Sequence, residues 1–323
     1  MKFDVIIGNP PYQDGKSDGY GRSSKPVYNV FIQEAKRLDP VYLSMIIPAR
    51  WFVGGKGLDK FRIDMLSDSH IKKIVDYENY KDVFPNLGGL AGGACFFLRD
   101  KNYVGLCNVT NATNKSEYTE LRKLDEYDIF IRNNKAIKVV NRVVNMHKTG
   151  KMLSEFVSAR KPFGLPTNYI PKDKGIPCWF VQKIGKKFAS KTDVSDSMNF
   201  LDKWKLLAPK APIAGQTDFS KPISIYYESN VLIAKPGECC TESFIVLGAF
   251  DTKEEVLFFK SYIFTKTVRF LLRQAVASQD ITRQNFRFVP NLEIYDRFYT
   301  DDYLSSLWEL TNEDRDIIES MIK

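Results

Sequence analysis

The chain opens on Phe3-Asp4-Val5-Ile6-Ile7-Gly8 and passes at once into Asn9-Pro10-Pro11-Tyr12. A near-continuous apolar run, rich in β-branched residues and closed by a glycine, reads as a buried parallel strand. A strand over Phe3 to Ile7, ending at Gly8, is therefore expected. Each of the two prolines fixes its own φ, removes a backbone donor and pushes the residue before it toward an extended conformation. The strand thus ends in a rigid elbow that turns polar groups away from its tip. A buried strand of this kind places the chain in the α/β class, and open α/β sheets bind ligands outside the carboxyl ends of their strands.

The elbow suits a planar molecule that carries an amino group. The Asn9 side-chain oxygen and the Pro10 carbonyl can both accept from one NH2, while the Tyr12 ring offers a stacking face. Two acceptors on one amino nitrogen orient its lone pair toward an electrophile. An isolated N-P-P-Y is usually only a turn, so the surrounding elements have to supply the context. Residues 26 to 38 carry Val27, Val30, Phe31, Ala35 and Leu38 on one helical face, and Asp39-Pro40 ends that helix. Tyr42 to Ile47 reads as a second buried strand, Leu58 to Leu66 as a helix, Ile71 to Val75 as a third strand and Ala94 to Arg99 as a fourth. The glycine-rich residues 86 to 94 run into a strand rather than into a helix, which is the wrong order for a phosphate loop. Residues 13 to 25, rich in Gly and Ser, read as a mobile polar loop after the elbow.

With these elements in place, the sequence resembles the amino-group DNA methyltransferases that modify adenine, whose hallmark is an Asn-Pro-Pro-Tyr tetrapeptide after a hydrophobic strand ending in Gly. The similarity continues through Pro26 to Leu38, Leu43 to Pro48 with Ala49-Arg50-Trp51-Phe52, and Val83-Phe84-Pro85 ahead of Gly93 to Leu98. It covers the first 110 residues or so closely. The remainder resembles the target-recognition region of the methylase modules of restriction-modification proteins. The resemblance implies a partial Rossmann-like methyltransferase sheet over residues 1–115 and an α+β DNA-recognition domain over 116–323. It also implies N6 methylation of a flipped adenine with S-adenosylmethionine as cofactor and double-stranded DNA as partner. Asn9, Pro10 and Tyr12 then become catalytic, and Tyr12 with Phe97 stacks on the base, Phe96 being assigned to the core. Pro11 and Tyr28 become candidates for contact with the cofactor.

Charge points the same way. The net charge of +8 is unevenly spread: residues 132 to 191 hold fourteen Lys or Arg against two acidic residues, a net of +12. Residues 192 to 323 hold fifteen against twenty, a net of −5. The basic segment, with Phe163, Tyr169, Trp179 and Phe180 interleaved, is the place to seek a nucleic-acid surface; Arg160, Lys161, Lys183, Lys186 and Lys187 are its candidate DNA contacts. Taken alone, such a run is more often a solvated face. No apolar run approaches the ~20 residues of a membrane helix and no signal peptide opens the chain, so a cytoplasmic protein without a membrane partner is expected. The five cysteines and two histidines show no zinc spacing, and reduced, mostly buried thiols with no metal site are expected.

Residues 110 to 128 read as a polar linker and Ile129 to Lys148 as an amphipathic helix. Short β-like runs follow at 176–181, 206–209, 223–227, 231–235 and 244–250, then a long helix over Glu254 to Gln274, an extended stretch to Pro290, and a closing acidic helix from about Asn312 to Met321. A donor-binding turn of the F-x-G-x-G kind is found nowhere; the nearest candidate, Ile245 to Asp251, has one glycine. The expectation is therefore a target-base and DNA-recognition half, completed by a second polypeptide or a missing N-terminal segment, because a lone Phe3 to Ile7 strand would leave an unpaired edge. Three alternatives stay open: methylation of an RNA base or a protein glutamine, a catalytically silent DNA-binding subunit, and an associated nuclease, for which no spaced acid-acid-lysine group is evident.

Overall fold

The computed structural model describes residues 3–14, 25–55, 57–90, 92–147, 149–181, 183–212, 221–276 and 280–323. They form two compact units, one built from Met1–Ile137 and the other from Lys138–Gln216 with Pro222–Lys323.

The first unit holds β1 (Val5–Gly8), α1 (Tyr28–Arg37), β2 (Tyr42–Pro48), α2 (Asp59–Leu66), β3 (Ile71–Tyr77), β4 (Ala94–Asp100), β5 (Cys107–Ala112) and β6 (Glu117–Arg122). Its six-stranded sheet has the order β1-β2-β4-β3-β5-β6. β1 runs parallel to β2 and β3 parallel to β5, whereas β4 is antiparallel to both its neighbours and β6 to β5. This is a mixed α/β sheet. Because strand side chains alternate, Leu43, Met45, Ile47, Ile74, Cys95, Phe97 and Val109 share the face on which Tyr28, Ile32, Phe61 and Met65 of the two helices pack. Each large apolar side chain sealed there contributes about 1.5–3 kcal/mol.

Two sequence expectations are corrected here. The leading strand is parallel but not buried: among the described residues it has one neighbour, and Val5 and Ile7 are 54% and 75% exposed. The core face of α1 is not the expected one either, since Tyr28, Ile32 and Ala35 are buried while Val30, Phe31 and Leu38 are exposed. α1 is apolar on two sides, and among the described residues one of them is buried while Val30 and Phe31 on the other are exposed. The unit also extends past residue 115, because β6 is hydrogen-bonded to β5 where a linker is expected, with the Thr110 and Thr119 hydroxyls 2.8 Å apart.

The next elements are α3 (Asn134–Met146), α4 (Leu153–Phe156), β7 (Ile176–Trp179), β8 (Lys186–Ala189), β9 (Trp204–Pro209), β10 (Leu232–Ala234), β11 (Cys239–Cys240), β12 (Phe244–Phe250), α5 (Lys253–Phe264), α6 (Lys266–Arg273), α7 (Asp301–Leu307) and α8 (Asn312–Met321). Two small sheets, β10-β9-β12 and β11-β7-β8, share a core of Phe163, Leu165, Phe180, Leu207 and Val246. The single helix expected over 254–274 is two helices. Thr265 ends α5, and its hydroxyl accepts from the Val268 N–H at 3.3 Å to cap α6. The expected strand over 223–227 is reduced to one bridge between Ile223 and Ile322, and the stretch before Pro290 contains a short 3-10 turn at Arg283–Phe286. All five cysteines are free and buried. Among the described residues no helix is long and apolar enough to cross a membrane, and no cluster of His, Cys, Asp or Glu could hold a metal ion.

Candidate active site

Gly8 lies in register with Met45 on β2, and Asn9 follows at the carboxyl end of this parallel pair. Asn9 and Pro11 are exposed, Pro10 is buried and Tyr12 is half-buried. The chain then doubles back, with Gln13 paired antiparallel to Pro26 and the Val27 N–H donating to the Tyr12 carbonyl at 3.3 Å. Most of the polar loop expected over 13–25, residues 15–24, lies outside the described residues. The Asn9 side chain lies beside the Tyr12 hydroxyl, but not in hydrogen-bonding geometry, so the buried hydroxyl oxygen has no partner. Burial, with the Cys95 thiol nearby, holds that hydroxyl above the ordinary phenol range, and Asn9 opposes the shift.

Asn9 and Tyr12 line a cavity of about 380 Å³ together with Val83, Phe84, Pro85, Asn86 and Leu87. Those five residues belong to the connection between β3 and β4, which is held from both ends. The Phe84 N–H donates to the Tyr80 carbonyl at 2.8 Å. At the other end Gly93 has φ of 76°, and a Cβ there would lie 2.1 Å from the Tyr77 carbonyl oxygen, so only glycine fits. Arg132 adds a further tie. Its guanidinium donates to the Gly92 carbonyl and, at 2.9 and 2.6 Å, to both carboxylate oxygens of the buried Asp76 at the end of β3. Burial raises the Asp76 carboxyl while Arg132 opposes that shift.

The two adjacent aromatics of β4, of which Phe97 is the one expected against the base, lie on opposite faces of the sheet. Phe97 is 1% exposed in the core, in register with Met45 and Ile74. Phe96 is the half-buried neighbour on the opposite face, with its ring 6.5 Å from that of Tyr77. Neither lines the cavity. Phe84 does, and its signal in the sequence was Val83-Phe84-Pro85, a buried-type side chain in a loop just past a strand tip.

Tyr28, a candidate cofactor contact, is 2% exposed and packs edge-on against Phe61. It lines a second cavity of about 250 Å³ that also includes Tyr12, Pro48, Arg50, Leu58 and Leu87. Tyr12 and Leu87 thus border both spaces.

The candidate DNA contacts gather around the sheet β11-β7-β8. Lys186 and Lys187 are on β8 and Lys183 precedes it, while Glu242, two residues past β11, pairs with Arg160 and, at 3.7 Å, with Lys161 and Lys210. Burial would raise the Glu242 carboxyl, but these three cations hold it below the usual range. Lys186 pairs in the same way with Glu238, which also accepts from the Trp179 indole at 2.9 Å. Of the aromatics interleaved with this charge, Phe163 and Phe180 are core residues, while the half-buried Trp179 and Tyr169 donate to Glu238 and Asp193.

Comparison with known proteins gives the following. Residues 1–84 match the family model of the Eco57I restriction-modification methylase. An uncharacterized adenine-specific methylase of Mycoplasma pneumoniae is 38% identical over 124 residues, which make up 38% of this chain and 29% of that protein. Among solved structures, the type IIG restriction endonuclease BpuSI superposes on 99% of this chain and 54% of its own, at 11% identity and a TM-score of 0.37. A component of a type I restriction-modification system superposes on 46% of this chain and 31% of its own, at 12% identity and a TM-score of 0.26. Both superpositions are too loose to bear on the fold, which rests on the strand order above. The amino-terminal region resembles a restriction-modification adenine methylase.

Proposed function

We propose that this chain is the target-base and DNA-recognition portion of an N6-adenine DNA methyltransferase of the restriction-modification type. The observation that carries the reading is the cavity at the carboxyl end of β1, where the exposed Asn9 and the half-buried Tyr12 meet Phe84. An adenine extruded from the duplex, at a cost of a few kcal/mol, is sandwiched by the Tyr12 and Phe84 rings. The Asn9 side-chain oxygen and the Pro10 carbonyl accept from its amino group and fix the direction of the nitrogen lone pair. The contribution of this chain is orientation, the largest lever available to a reaction without a covalent enzyme intermediate. Arg160, Lys161, Lys183, Lys186 and Lys187 contact the DNA backbone, with buried glutamates setting the position of three of them.

S-adenosylmethionine as the methyl source comes with the resemblance, yet the described residues do not make a site that fits it. Pro11 is exposed, Tyr28 at the start of α1 is buried against Phe61, and among the described residues the side of β1 on which a donor-binding half would sit is open. The open side supports a partner. Val5 and Ile7 on the edge strand and Val30 and Phe31 on α1 form apolar surface that a neighbouring strand and helix would cover, and an uncovered apolar edge is an aggregation hazard. A second polypeptide, or a further segment of the same product, supplies that half.

The test is co-expression of the chain with its flanking reading frames and measurement of N6-methyladenine in the host DNA. Asn9→Ala is expected to lower methylation on the order of 100-fold or more and to leave DNA affinity nearly intact. Undiminished methylation in that variant, or none with the unaltered chain, overturns the reading.

A further inference from the structure

The second cavity beside Tyr12 is lined by two residues whose polar side-chain atoms find no hydrogen-bond partner among the described residues. Tyr28 is 2% exposed and its hydroxyl oxygen is buried without a partner. Arg50, in the turn after β2, has a buried Nε in the same condition. Both line the cavity of about 250 Å³, whose other walls include the apolar Pro26, Pro48, Leu58 and Leu90. Burial raises the Tyr28 hydroxyl above the ordinary phenol range, with Cys95 adding and Arg50 opposing, so it is a protonated donor at neutral pH. Buried donors left unpaired are costly, and a concave site that keeps two of them is built for a ligand with matching acceptors.

We propose that Tyr28 and Arg50 read the ring nitrogens of the target purine, so that they set specificity for adenine. The inference rests on the reading of Asn9 to Tyr12 as an adenine site. Tyr12 borders both cavities, and the proposal places a ring stacked on it with its amino group at Asn9 and its adjacent edges toward the second one. In adenine the amino-bearing carbon is flanked by two acceptors, N1 directly and N7 across the ring fusion. Cytosine has an acceptor on one side of its amino group and a C–H on the other. Guanine puts a carbonyl where Asn9 and Pro10 need donors, and an N–H where Tyr28 and Arg50 need an acceptor. A pair of donors thus selects adenine over both other candidates by hydrogen bonding, the kind of contact that discriminates most sharply.

The test is the affinity of the full chain for 2′-deoxyadenosine, 1-deaza-2′-deoxyadenosine and 7-deaza-2′-deoxyadenosine, measured by ligand-observed NMR. The two analogues each replace one ring acceptor by C–H. The unaltered chain is expected to lose about tenfold in affinity with each analogue, the value of one hydrogen bond to a buried donor. Tyr28→Phe and Arg50→Gln are each expected to weaken 2′-deoxyadenosine about tenfold and to become indifferent to one of the two analogues. Equal affinity of the unaltered chain for all three nucleosides overturns the proposal without recourse to any variant, as does a penalty that persists unchanged in both variants. Binding of 2′-deoxyadenosine that is lost in Tyr12→Ala but unaffected by Tyr28→Phe and Arg50→Gln overturns this inference and leaves the adenine site standing. Absence of nucleoside binding, or binding indifferent to Tyr12→Ala, overturns the adenine site and this inference together.

Discussion

Two apolar strands of this chain meet opposite fates. Phe3 to Ile7 and Phe244 to Phe250 are both near-continuous hydrophobic runs, and both β1 and β12 sit at the edge of their sheets. In β12 all seven residues are buried, because α5 and the Phe156, Phe259 and Tyr295 rings pack against its Phe250. In β1 the same kind of sequence is left open, with Ile7 75% exposed. The contrast sharpens at one strand's remove: β9, next to β12, seals Lys205 at 0% exposure. A region that buries a lysine beside one that exposes an isoleucine shows that residue type alone does not decide burial. The presence of a covering element does, and among the described residues of the first unit none lies along the open side of β1.

The largest effect expected from this contrast is on the covered side. Phe259 lies at ring-centroid distances of 5.1 Å from Phe250, 4.8 Å from Tyr295 and 6.1 Å from Phe156. Phe259→Ala leaves a cavity that rigid neighbours cannot fill, and a loss of about 3–5 kcal/mol is expected in denaturant unfolding. A loss below about 1 kcal/mol would show that α5 does not seal β12 in solution.

An intermediate effect is expected at Lys205. Its ammonium donates to the carbonyls of Leu201, Lys203 and Lys235 at 2.8, 2.6 and 3.1 Å, yet burial lowers its pKa to about 8. In the unfolded chain the same group keeps its proton to about pH 10.4. Between these values the unfolded state binds more protons, so stability rises with pH. The penalty for burying the charge is fully present below pH 8 and is relieved above it. Relative to Lys205→Met, the unaltered chain should therefore gain about 1–2 kcal/mol between pH 8 and 9.5. A difference that stays flat, or moves the other way, would show that Lys205 titrates normally and that its surroundings are wet.

The same logic explains which parts of the molecule were legible in the sequence. The strand and elbow over Val5 to Tyr12, the strands at Tyr42, Ile71 and Ala94, and the closing helix at Asn312 announce themselves through β-branched runs, prolines and charge. The helix α1 announces itself over residues 26 to 38 as well, but its core face does not, since Tyr28 and Ile32 on one side compete with Val30 and Phe31 on the other. Phe96 and Phe97 are adjacent, so a one-residue slip in strand register exchanges their roles. β6 has a polar sequence, Glu117-Tyr118-Thr119-Glu120-Leu121-Arg122, and polar edge strands carry no hydrophobic period to read. Phe84 was passed over because a loop residue has no periodicity; what distinguishes it is the cavity. The charge of the basic segment was legible, but the placement of Phe163 and Phe180 in the core was not, because the chain folds small sheets around them.

The smallest expected effect concerns the open side and separates a missing cover from a merely loose edge. Ile7 and Phe31 are 75% and 48% exposed. In the isolated chain, Ile7→Ser and Phe31→Ser are expected to change the unfolding free energy by no more than about 0.5 kcal/mol, as for substitutions away from packed sites. In cells that supply the completing half, the same substitutions are expected to abolish methylation, because the surface they alter becomes interior on assembly. Stability measurements on the isolated chain and methylation in the co-expressed system check the two halves of the statement independently. A stability loss comparable with that of Phe259→Ala would mean that β1 is already covered within this chain. Unimpaired methylation would mean that nothing docks there, and the resemblance between the two apolar strands would then have to be explained without a partner.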